Sequence, residues 1–93
     1  MTNIERKIVN LTHELQKQVE AGNEIEEIME NAEQITPEME AAFDVAYAEE
    51  YVVRRQLARA IVEYTAPYEQ LDMDTAIKLT YKPHFMELVN EIE

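Results

Sequence analysis

Residues 37–65 read PEMEAAFDVAYAEEYVVRRQLARAIVEYT, and this stretch decides the fold. It holds no glycine and no internal proline, and alanine is its commonest residue. Thr36 is placed to cap the first amides, and Pro37 suits the first helical position. Ala66-Pro67 stops the run, because the residue before proline avoids helical angles. Read as one helix, the stretch is about 43 Å long at 1.5 Å per residue.

Advancing 100° per residue from Met39 gives an apolar seam of Met39, Ala42, Phe43, Ala46, Val53, Leu57, Ala60, Ile61 and Tyr64, all within about 60° of zero. A second stripe of Ala41, Val45, Ala48 and Val52 lies nearly opposite. A helix apolar on two sides is covered on two sides. Either this helix is the centre of its own bundle, or the second stripe meets another copy of itself.

Upstream, Asn3 is a candidate cap for a first helix whose seam is Ile4, Ile8, Leu11 and Leu15. Gly22, the only glycine, sits where a left-handed residue would end that helix. Asn23 and Glu26 then resemble a capping box. They open a second helix whose expected buried stripe is Ile25, Ile28, Met29 and Ala32, closed by Ile35. These two helices are expected to form a hairpin on the long one. Downstream, Asp72 or Asp74 caps a short helix. Pro83 starts a last helix through Phe85, Leu88, Val89 and Ile92. Residues 74–92 form one kinked helix or two. The fold class is all-α, a four- to five-helix bundle around a long central helix at 37–65, in one domain spanning 1–93.

Twenty Asp and Glu against eight Lys and Arg give a net charge of -12. There is no cysteine, hence no disulfide framework or thiol chemistry. No apolar run reaches membrane-spanning length and no signal peptide is visible, so a cytoplasmic protein without a membrane role is expected.

Catalytic and metal patterns fail on inspection. His13 lies about 180° from Ile4, on the solvated face. His84 has Glu87 three residues on, but the Glu-x-x-His order of di-iron bundles is absent. Asp72-Met73-Asp74 resembles the start of a calcium loop, yet Ile77 holds the required glycine position. No phosphate loop or nucleophile–base pair assembles. Neither a metal, a cofactor nor an enzymatic activity is expected.

Three smaller features remain. Glu50 falls inside the apolar seam with Arg54 four residues on, a favourable ion-pair order that fixes helix register. Tyr47 and Tyr51 flank Arg54 and Arg55. Lys78, Lys82 and His84, with Arg54, Arg55 and Arg59, form the candidate basic area for a small anion.

Charge distribution carries the most information. From Gln18 to Val53 there is no Lys or Arg, while eleven carboxylates occur. Such a span solvates a small protein or meets a basic partner. Direct nucleic-acid binding is not expected, since that needs clustered Lys and Arg. The first reading is a non-enzymatic inhibitor or decoy that binds a basic, nucleic-acid-binding surface through Glu26, Glu27, Glu30, Glu33, Glu38, Glu40 and Asp44. By size and charge it is similar to the small acidic DNA mimics with which phages block host defence enzymes. The alternatives are a helical oligomer sequestering a small anion such as a nucleotide, and a structural or adaptor homodimer. Whichever reading holds, the chain is expected to form a homodimer through Ala41, Val45, Ala48 and Val52.

Overall fold

The computed structural model describes residues 1–82 and 85–92, the side chains of Met86 and Leu88 excepted. These residues form four helices: α1 (Asn3–Asn31), α2 (Pro37–Thr65), α3 (Met73–Leu79) and α4 (Phe85–Ile92). No strand occurs among the described residues.

The long stretch is one helix with the bounds expected of it. The Thr36 hydroxyl accepts from the Met39 N–H at 3.2 Å, and Pro37 occupies the first turn. At the far end the Tyr68 and Glu69 N–H groups close a turn on the Thr65 carbonyl at 2.9 and 2.8 Å. Asp72 starts α3 by accepting from the Thr75 N–H at 2.7 Å. That hydrogen bond from the Thr75 backbone holds the Asp72 carboxyl below its ordinary pKa, so this cap is lost as pH falls through the lowered value. Residues 74–92 resolve into two helices, and Pro83 and His84 between them lie outside the described residues.

The break expected at Gly22 does not occur. α1 runs through it to Asn31, and Gly22 has no positive φ. A glycine inside a helix costs about 0.5–1 kcal/mol relative to alanine, less than the packing of a long amphipathic helix supplies. The cap is Thr2, one residue before Asn3. Its hydroxyl accepts from the Glu5 N–H at 3.2 Å, and its own N–H donates to the Glu5 carboxylate at 2.9 Å. The hydrogen bond from the Thr2 backbone in turn holds the Glu5 carboxyl below its ordinary range.

Two 29-residue helices joined by the link 32–36 therefore form one long hairpin. α3 packs on α2 and α4 on α1. The molecule measures 52 × 24 × 20 Å with a radius of gyration of 15.5 Å. A compact domain of this length would have about 12 Å.

The elongation follows from where the core sits. Ile8, Val9 and Leu15 of α1 meet Val53, Leu57, Ala58, Ala60 and Ile61 of α2. Ala76 of α3 and Phe85 and Val89 of α4 complete the cluster. All of this lies in the open half of the hairpin, called the base below. The half nearest the link, called the arm, has only α1 and α2 to cover each other. There Ile25, Met29 and Ala32 are half-buried, while Ile28 and Ile35 are exposed, contrary to the expected buried stripe. Within the main seam Ala42 is exposed and Tyr64 marginally so, and Arg54 and Ala58 are buried in addition. No helix is long and apolar enough to cross a membrane among the described residues.

Candidate interaction surface

The hairpin gives the basic-residue gap a location. Residues 18–53 are the last part of α1, the link and the first part of α2, folded back on one another. Gly22, Asn23 and Glu26 share a cleft with Phe43, Tyr47 and Glu50. Farther out, Glu27 and Ile28 share a hollow with Met39. The eleven carboxylates of this span thus stand on the arm with no Lys or Arg of the same span. The remaining nine of the twenty acidic residues are nearly matched by the eight basic ones, all outside the span. Almost the whole net charge of -12 belongs to the arm.

Glu26, Glu27, Glu30 and Glu33 at the end of α1 and in the link, and Glu38, Glu40 and Asp44 at the start of α2, are all exposed. Among the described residues none of the seven is in an ion pair. The structure brings them to one end of the molecule.

The second stripe of α2 lies largely open to solvent among the described residues. Ala41, Val45, Ala48 and Val52 are all exposed, with 57% of Val45 and 55% of Val52 open to solvent. Glu14 and Gln18 of α1 reach the second half of this stripe, sharing a shallow hollow with Ala48 and Val52. Tyr47 is exposed and stacks on Phe43, with ring centroids 6.5 Å apart. Tyr51 lies 6.0 Å from the Arg55 guanidinium carbon.

Glu50 and Arg54 form the expected pair at 3.2 Å, with Arg54 nearly enclosed. What the sequence did not reveal is the rest of the arginine's surroundings. Its Nη1 donates to the Thr80 carbonyl at 3.0 Å and to the Thr80 hydroxyl at 3.1 Å. The Tyr81 ring lies 3.7 Å from the guanidinium carbon. Arg54 therefore satisfies a carbonyl at the end of α3 from 26 residues away and ties α3 to α2. The signal available was indirect: a short helix ending at Thr80 needs a donor for its last carbonyls.

Arg55, Arg59, Lys78 and Lys82 are exposed, and only Lys82 joins Arg54 on a common cleft. His13 is exposed on α1, and His84 lies outside the described residues. No group of three metal-ligating side chains converges among the described residues.

No family model, curated protein or solved structure matches this chain.

Proposed function

We propose that this chain is a non-enzymatic interaction protein whose acidic arm occupies a basic, nucleic-acid-binding groove of a partner protein. The observation that carries this reading is the segregation of charge. Seven exposed carboxylates, Glu26, Glu27, Glu30, Glu33, Glu38, Glu40 and Asp44, stand on one end of an elongated hairpin without an intervening base. Helical carboxylates recur at about 5.4 Å per turn, the same order as the phosphates of a strand at about 3.4 Å of axis. Two antiparallel helices double that row. A groove lined with Lys and Arg would be drawn to such an end over roughly a Debye length, about 8 Å at physiological salt.

In this reading the chain also pairs with itself through Ala41, Val45, Ala48 and Val52. Asp44 and Glu38 flank the first half of that stripe, and Arg55 and Arg59 accompany the second half. An antiparallel two-fold crossing near Ala48 sets unlike charges against one another.

The test of the acidic surface is a pull-down from lysate with duplex DNA as competitor, followed by replacement of Glu26, Glu27, Glu30 and Glu33 with Gln. The variant should keep its circular dichroism and lose partner binding, and wild-type binding should weaken as salt is raised. Undiminished binding by the variant, or binding indifferent to salt, would sink the proposal.

A further inference from the structure

We propose a second, independent binding site: a cleft at the junction of arm and base that takes a small organic anion, with a phosphate head on a flat apolar body. The cleft measures about 300 Å³. It lies between the middle of α1, Arg54 of α2, Thr80 and Lys82 after α3, and Phe85 of α4.

The argument starts with Arg54. A guanidinium is permanently charged and offers five N–H donors. Three are used, two on Thr80 and one on Glu50. Nε has no partner among the described residues, although Arg54 is only 5% exposed. An unmet donor on a buried charge is destabilising, and a bound water, ion or ligand group is what completes it. Glu50 compensates the charge through a single contact from a side chain that is itself 19% exposed.

The walls suit an anion with an apolar body. Lys82 supplies a second cation, and Gln16 supplies a neutral amide. The Thr12 side chain is fully buried, its hydroxyl donating to the Ile8 carbonyl at 2.7 Å, so it offers the ligand no donor. Leu15, Val19 and Phe85 make most of the remaining surface, and Phe85 offers a ring on which a flat body can stack. Among the described residues Glu20 is the one carboxylate on the lining, and it opposes an anion. The head is therefore placed beside Lys82 and Arg54, away from Glu20. As the cleft stands Nε is sealed from solvent, so a direct bond to it requires a small rotation of the side chain.

Phenyl phosphate is the probe, with inorganic phosphate and benzyl alcohol as the head and the body alone. In ¹H–¹⁵N spectra of the intact chain, phenyl phosphate should move the amides of Gln16, Val19, Thr80 and Lys82 together with the Arg54 Nε–H signal. Lys82→Glu, at an exposed position, should weaken binding at least about tenfold, roughly 1.4 kcal/mol. Glu20→Gln should tighten it. The four-Gln arm variant should bind as the wild type does, which separates this site from the acidic surface. Shifts confined to other residues, benzyl alcohol as effective as phenyl phosphate, or Lys82→Glu without effect would each overturn the proposal.

Discussion

Position 54 holds a permanent charge on a nearly enclosed side chain at the edge of the core. Glu50, the Thr80 carbonyl and hydroxyl, and the Tyr81 face all converge on it. Removing the cation strands Glu50 and the end of α3, and breaking a buried pair of this kind costs about 3–5 kcal/mol. For a domain of this size, Arg54→Ala should lower Tm by more than about 10 °C. Arg59→Ala, at an exposed position, should change it far less. Adding Glu50→Gln to Arg54→Ala should recover part of the loss by discharging the stranded carboxylate. Calorimetry on the three variants decides this, and equal small effects would mean the charge is not enclosed. The Glu50–Arg54 half of the network was legible because i, i+4 spacing fixes it locally. Thr80 and Tyr81 were not, since no local pattern ties a residue to a partner 26 positions away.

Among the elements, α2 was legible at its start because Thr36-Pro37 is a strong local signal. Its end at Thr65 was placed correctly, but Ala66 keeps helical angles (φ -50°, ψ -39°) and does not avoid them as expected before Pro67. A single glycine is a weaker signal, and α1 continues through the stop that Gly22 suggests. Gly22 sits in unbroken helix, and a Cβ added there meets nothing within 4 Å. It has neither a conformational nor a steric reason to be glycine. Gly22→Ala should therefore stabilise the protein by about 0.5–1 kcal/mol. Denaturant titration should show a higher midpoint with an unchanged slope. A lower midpoint would mean that the helix does break there. The burial of residues 25–35 was misjudged for a related reason. Helical periodicity identifies an apolar face but not whether the chain has an element left to cover it, and α3 and α4 both went to the base.

For the whole molecule, the largely open stripe of α2 and its flanking charges lead to one expectation. Light scattering at micromolar concentration should give about twice the 10.9 kDa chain mass, and Ala48→Glu should return it to the monomer. A monomer mass for both proteins would refute the pairing. The charge gap that carries the functional reading was plain in the sequence. Its concentration at one end was not, because that depends on the hairpin folding at 32–36. The siting of the core has a further consequence. Free energy of local opening tracks buried apolar contact, so the two long helices are not uniform along their lengths. The base opens only with the whole fold, whereas the tip, residues 25–40, frays at a fraction of that free energy. The end that carries the charge is also the end that can change its carboxylate spacing without unfolding the rest.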